Sequence, residues 1–249
     1  MSLSTSTSTS TPSVPPFPPI DALRLEPSAP HTATVIFLHG LGDSGDGWEP
    51  FAKKLLRDPT LNHIKWILPH APVQRVTANN GMHMPAWFDV IEFGSNKEDQ
   101  PGLRAASGAI AALLAEEDAR TPGRVVLGGF SQGAALTILT GLTSTPAPAG
   151  MLVLSGRTAL REDLKANLSP RAKELPIFWA HGGIDQMIKV ETARDGHKFA
   201  MKELGLKKAK ELGGPGVEFR VYEGMQHSTC PDEVEAVTQF LRKVVPKQD

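Results

Sequence analysis

Cysteine is nearly missing from this chain. One residue, Cys230, stands among 249, and a lone thiol closes no internal disulfide, so nothing in the fold calls for an oxidising compartment. A reduced, intracellular setting is the expectation, cytoplasmic or also nuclear. Excess charge is missing as well. Lys and Arg number 26 against 27 Asp and Glu, a formal net charge of -1, which argues against a general electrostatic role on nucleic acid or on an anionic membrane. Long hydrophobic runs are absent too. The longest small and apolar stretch, "AASGAIAALLA" over 105–115, falls far short of the roughly 20 residues that cross a bilayer. The first residues lack the basic start and apolar segment of a secretory signal, and they lack the Arg-rich amphipathic character of a mitochondrial presequence. Ser2 follows Met1 where myristoylation needs Gly, and the closing "KQD" is no prenylation box, so no stable membrane anchor is expected.

What is present divides into two parts. Residues 1–30 are Ser/Thr-rich and then Pro-rich, with little apolar material to bury, and read as a disordered tail. Residues 31–249 read as one domain, since no repeat or second composition is visible. Within it, "TVIFL" (34–38), "KWIL" (65–68), "RVVLGG" (124–129), "MLVLS" (151–155), "PIFWAH" (176–181) and "VEFRVY" (217–222) predict strands. The first five are short and apolar without strict alternation, as in strands covered on both faces. Between them, residues 48–58, 102–119, 131–142, 191–205 and 232–245 carry apolar side chains at three- and four-residue spacing and predict helices. Alternating strand and helix implies an α/β fold, a mostly parallel sheet with helices on both faces. These elements leave no stretch long enough for a cap domain.

Four loops at predicted strand ends hold unusual polar residues: "HGLGDSGDGW" (39–48), "GFSQG" (129–133), "HGGIDQM" (181–187) and "EGMQHSTC" (223–230). Ligands of open α/β sheets bind at the carboxyl ends of strands, so the clustering is informative. Gly129-Phe130-Ser131-Gln132-Gly133 fits G-x-S-x-G, in which glycines let a strand turn sharply into a helix beneath an exposed serine. The pattern is short, and an ordinary strand–helix turn is the competing reading. A serine hydroxyl also needs a base. Two histidines follow far enough on: His197 lies mid-pattern in a predicted helix, whereas His227 sits at a strand end. Asp185 sits at a strand end between them, unlike Asp163 and Asp195, and can hold the imidazole tautomer that leaves Nε2 free as base; capping the next segment is the plainer role for it. His39 opens a glycine-rich loop suited to an oxyanion hole, with donors near Leu41 and at the Gln132 amide. A phosphate loop is the rival there, but no G-K-[ST] follows.

"FLHGLGDSGDGW", "PHAP", "MPAWFD", "GGFSQGAAL" and "YEGMQHSTCPDE" resemble the acyl-protein thioesterase/carboxylesterase family of α/β-hydrolases, which includes lysophospholipase-like members. The likeness runs from about Val35 to Val245. It implies an α/β-hydrolase fold, a triad of Ser131, Asp185 and His227, oxyanion donors at the Leu41 and Gln132 amides, and removal of fatty acyl groups such as palmitate from protein cysteines. Two stretches depart from the family pattern. Gln186-Met187-Ile188-Lys189 follows the acid where a Pro- and Val-containing stretch is usual, and Gly156-Arg157-Thr158 stands where an aromatic and Leu-Pro commonly follow. A cationic Arg157 beside an acyl channel disfavours a long hydrocarbon unless it points to solvent.

Met82, Met84, Trp87 and Phe88 are candidates to line an acyl groove, methionine being adaptable to varied chains; ordinary core contacts are the equal alternative. The expected partners are S-acylated proteins, with lysophospholipids or small esters as the alternative substrates. A non-catalytic binder on a hydrolase scaffold is the rival from another class. No cofactor is expected. His181 and Asp185 form no metal set, since a catalytic metal usually takes three protein ligands.

Overall fold

The short apolar runs assemble into one seven-stranded sheet in a computed structural model that describes residues 17–95 and 97–248. The strands are β1 (Ala22–Leu25), β2 (Ala33–Leu38), β3 (Ile64–Pro69), β6 (Val125–Phe130), β7 (Gly150–Leu154), β8 (Pro176–Gly182) and β9 (Gly216–Tyr222), in the order β1-β3-β2-β6-β7-β8-β9. Every pairing is parallel except that of β1 with β3. A separate hairpin, β4 (Val73–Val76) with β5 (Met82–Pro85), leaves the sheet after β3.

Alternate side chains of each strand point to opposite faces, and both faces are dry. Ile36 and Leu38 of β2 face α2 (Gln100–Asp118), α3 (Gln132–Thr143) and α5 (Val190–Lys202), in a cluster with Ile110, Leu136, Leu139 and Phe199. Val35 and Phe37 face α1 (Glu49–Leu56) and α6 (Pro231–Val244), in a cluster with Trp66, Leu55, Phe178 and Phe240. This is the mostly parallel sheet with helices on both faces that the alternation implies, in the three-layer α/β-hydrolase arrangement that the resemblance implies. Only α4 (Arg161–Ala166) and a 3-10 turn lie between β7 and β8, so no cap domain covers the sheet among the described residues. None of the described helices is long and apolar enough to cross a membrane.

The boundary expected at residue 30 is corrected. Residues 1–16 of that tail lie outside the described residues, but β1 falls within the remainder and is bonded to β3, with Ala22 opposite Pro69 and Leu25 opposite Trp66. Phe17 and Ile20 pack against the core. The strand is four residues long and sits between prolines, a pattern suited to a sheet edge, where missing N–H groups do little harm. The hairpin and α4 were also missed, whereas the six expected strands and five expected helices stand within one to three residues of their predicted limits.

The chain passes from β2 to β3 on one side, and the later strands grow from the other side of β2, beginning with β6. The carboxyl ends of β2 and β6 are therefore a topological switch point, where open α/β sheets hold their ligands. The glycine-rich loop that begins at His39 leaves β2 and the serine turn leaves β6.

Candidate active site

Strand β6 and helix α3 meet at Ser131 with almost no space between them. A Cβ on Gly129 would lie 2.5 Å from the Gly133 backbone, and one on Gly133 would lie 2.2 Å from the Leu38 carbonyl oxygen. Glycine at both positions lets the helix start against β2 and β6. Ser131 itself adopts φ 55° and ψ -114°, a strained backbone for a residue with a Cβ. The strain holds its side chain out at the strand end.

His227 follows β9 through a turn zipped to the β8 exit by Gly183 N–H to the Tyr222 carbonyl and Ile184 N–H to the Met225 carbonyl. Its ring rests on Phe130, centroid to centroid 4.8 Å. Nε2 lies 2.9 Å from Ser131 Oγ, and Nδ1 lies 2.7 Å from Asp185 Oδ2. With the proton on Nδ1 donated to the carboxylate, Nε2 accepts from the serine hydroxyl. Asp185 is buried, and its Oδ1 accepts from the Met187 and Ile188 amides at 2.8 and 2.9 Å. Three residues far apart in the chain thus form one continuous relay.

The loop after β2 is held peptide by peptide. His39, fully buried, accepts from the Ala71 amide at Nε2 (3.0 Å) and donates from Nδ1 to the Gly40 carbonyl (2.7 Å). Burial lowers its pKa, against the pull of the Gly40 carbonyl and Asp43, which favours the neutral ring this pattern needs. The Gly40–Leu41 peptide is planar and trans, so a carbonyl fixed one way sends the Leu41 N–H the other way. The Gly42, Asp43, Ser44 and Gly45 amides are bonded to Pro85, Gly40, the Asp43 carboxylate and His70. A Cβ on Gly40 would stand 3.3 Å from Ser131 Cβ, which sets the loop directly against the serine. The Gln132 amide, first in α3, is one of the helix-start donors without an intrahelical acceptor.

The Gln132 side chain adds a clamp. Its Oε1 accepts from the Trp87 amide at 2.9 Å and its Nε2 donates to the Phe88 carbonyl at 2.8 Å. Trp87 Nε1 donates to the His39 carbonyl at 2.9 Å. Trp87 and Phe88 are 1% and 3% exposed, so their rings are packed into the core beneath the site and not displayed to a groove. Met82 is 57% exposed on β5, and Met84 is half-buried with its sulfur near Gly42.

The rival residues are engaged elsewhere. Asp163 pairs with Arg104 and Asp195 with Arg161; His197 is half-buried on α5, stacked 4.7 Å from Phe219. Arg157 is half-buried and paired rather than free in solvent. Its guanidinium donates to Glu98 at 2.7 Å, and Glu98 also accepts from the Leu160 amide. Sequence reasoning passed over His181 as anything but a failed metal ligand, yet its Nε2 lies 3.4 Å from Asp185 Oδ2.

A serine on a strand–helix elbow, followed along the chain by an acid and then an imidazole that meet at its hydroxyl, defines the constellation of an α/β-hydrolase-type serine hydrolase. The chain belongs to the phospholipase/carboxylesterase family, whose pattern matches residues 24–245. It is 39% identical over 232 residues to acyl-protein thioesterase 1 of Cryptococcus neoformans var. neoformans serotype D, covering 90% of this chain and 97% of that protein. It is 40% identical over 229 residues to acyl-protein thioesterase 1 of Mycosarcoma maydis, covering 87% and 93%. Among solved structures it is similar to acyl-protein thioesterase 2 of Zea mays, with a TM-score of 0.75 at 28% identity over 90% of this chain and 99% of that one.

Proposed function

We propose that this serine hydrolase removes fatty acyl groups, palmitate-like in kind, from S-acylated cysteines of proteins. Ser131 is the nucleophile, His227 the general acid–base, Asp185 its orienting acid, and the Leu41 and Gln132 amides the oxyanion donors. The observation that carries the reading is the relay of 2.9 and 2.7 Å from Ser131 through His227 to Asp185, in a chain 39–40% identical to two acyl-protein thioesterases.

The chemistry is two-step acyl transfer. His227 takes the Ser131 proton as Oγ attacks the thioester carbonyl, and the oxyanion forms against the two amides. The tetrahedral intermediate collapses, the C–S bond breaks, and the thiol leaves with the proton from His227. Water then attacks the acyl-serine by the same route and releases the fatty acid. A thiol, with a pKa of about 8.5, needs less protonation to leave than an alcohol does, so thioesters are the easier substrates, and the proton from His227 lets the same machinery release the alcohol of an oxyester. With no cap among the described residues, a bulky acylated protein can approach with only its acyl part enclosed. Met82 and Met84 at the rim meet that chain, and Trp87 and Phe88 support the wall from beneath. A cytoplasmic setting, extending to the nucleus, goes with this reading.

The test is labelling with a serine-directed fluorophosphonate, followed by kinetics on acyl-cysteine peptides, lysophospholipids and short nitrophenyl esters. We expect labelling at Ser131 and the highest kcat/KM on the acyl-cysteine peptide. Ser131→Ala should lower kcat by several orders of magnitude with the fold retained. An unlabelled protein, or an active Ser131→Ala protein, removes the nucleophile; preference for lysophospholipid keeps the mechanism and changes the substrate.

A further inference from the structure

Asp185 stands on a loop whose stiffness does not come from its own sequence. Gln186 follows the acid, so no proline fixes the backbone there, and Ile184 and Met187 on either side are 47% and 65% exposed. The loop nevertheless has to hold one carboxylate oxygen at 2.7 Å from His227. Beneath it lies a second imidazole, His181, next to the last residue of strand β8 and fully buried. Its Nε2 donates to the Ile188 carbonyl at 2.7 Å, which ties the far end of the loop to the sheet. The same nitrogen is 3.4 Å from Asp185 Oδ2, the oxygen that serves His227. Its Nδ1 is buried with no partner among the described residues.

We infer that His181 is a positioning residue for the acid: a neutral imidazole, protonated on Nε2 alone, that closes the Asp185 loop and sets the charge felt at Asp185 Oδ2. The inference rests on the triad reading above. Three things argue for the neutral ring. A second proton on Nδ1 would be buried without an acceptor, which is costly. The Ile188 carbonyl demands a donor at Nε2. The charged and titratable groups around the ring are Asp185, His227 and Glu191, and burial outweighs the pull of the two carboxylates in lowering the His181 pKa.

The consequence is electrostatic as well as mechanical. An N–H pointing into this space puts positive potential beside both Asp185 and His227. It offsets part of the carboxylate's negative potential at the His227 ring. Removing the N–H while keeping the volume should therefore slow the reaction and also displace its pH dependence. A purely packing role would do the first without the second.

Glutamine places its Nε2 the same number of bonds from Cα as the His181 Nε2, asparagine places its amide nitrogen at the Nδ1 position, and phenylalanine keeps the ring without a donor. In His181→Phe and His181→Asn, kcat/KM should fall by on the order of 10- to 100-fold, in kcat more than KM, as for a displaced catalytic group. The rising limb of the kcat/KM–pH profile should move to higher pH in both. His181→Gln should restore most of the rate and the wild-type limb. Thermal melts and fluorophosphonate titration establish that each variant is folded and count its competent sites. If folded Phe, Asn and Gln variants lose activity equally with the limb unmoved, or if none loses activity, His181 is not a positioning residue. If the wild-type protein takes no fluorophosphonate, the triad reading fails and this inference falls with it.

Discussion

At the scale of single residues, the site depends on how close two backbones come. Gly133 is the clearest case, because any Cβ there would lie 2.2 Å from the Leu38 oxygen and 2.6 Å from the His39 oxygen. Neither is a side chain that could swing away. Gly133→Ala must push α3 off β2 and carry the Gln132 amide with it. We expect a loss of roughly 1–3 kcal/mol from overpacking and a fall in kcat/KM on the order of 100-fold from misplacement, read from thermal melts and steady-state kinetics. An unchanged melt with full activity would refute the packing argument. The Ser, Asp and His positions were legible because each follows a strand in the hydrolase order. The roles of His181 and of the Gln132 side chain were not, since both act through backbone groups, the Ile188 carbonyl and the Trp87–Phe88 peptides, that only folding brings near. For Trp87 and Phe88 the sequence leaves groove and core equally open, because apolar side chains in a loop look alike whether they face solvent or core; their burial decides for the core.

At the scale of elements, the least forgiving join is that of α2 to β3. Lys65 Nζ lies 3.2 Å from Glu117 Oε1, with side-chain exposures of 8% and 2%, and Thr34 donates to the same carboxylate. Removing one partner of a buried pair strands the other charge, which typically costs about 3–5 kcal/mol. Glu117→Ala should show that loss in urea denaturation with the serine still titratable, whereas a change under 1 kcal/mol would mean water reaches Lys65. Legibility at this scale followed length and burial. The five central strands are covered on both faces and announce themselves as apolar runs. β1 and the β4–β5 hairpin are four-residue strands at or beyond a sheet edge, with one exposed residue in β1 and two in each hairpin strand, and so short a run carries no period to read. Helix α4, six residues long, fails for the same reason. Its residues also do tertiary work, with Asp163 on Arg104.

At the scale of the whole molecule, stability should fall with rising pH through one buried acid. Glu233, in the first turn of α6, has no exposure, and neither of its carboxylate oxygens has a partner among the described residues. Burial pushes its pKa up to about 8 from an ordinary 4.5. The folded chain therefore holds a proton that the unfolded chain has released, so this contribution is complete below about pH 4.5 and lost as pH rises through 8. Glu233→Gln should flatten that part of the stability–pH curve, leaving the variant ahead of wild type by a few kcal/mol at alkaline pH. Parallel curves for the two proteins would show that the carboxylate finds a partner. A different consequence follows from the reversed direction of β1. Because β1 runs against β3, the polypeptide enters the sheet at the catalytic pole: the Asp21 carbonyl accepts from His70, and Phe17 stacks on Trp87. The last helix descends to the opposite pole, where Arg124 and Asn62 meet Pro246 and Lys247. The two ends of the described chain are thereby parted by the full depth of the sheet, Phe17 standing on the side of the reactive serine and Lys247 on the far side.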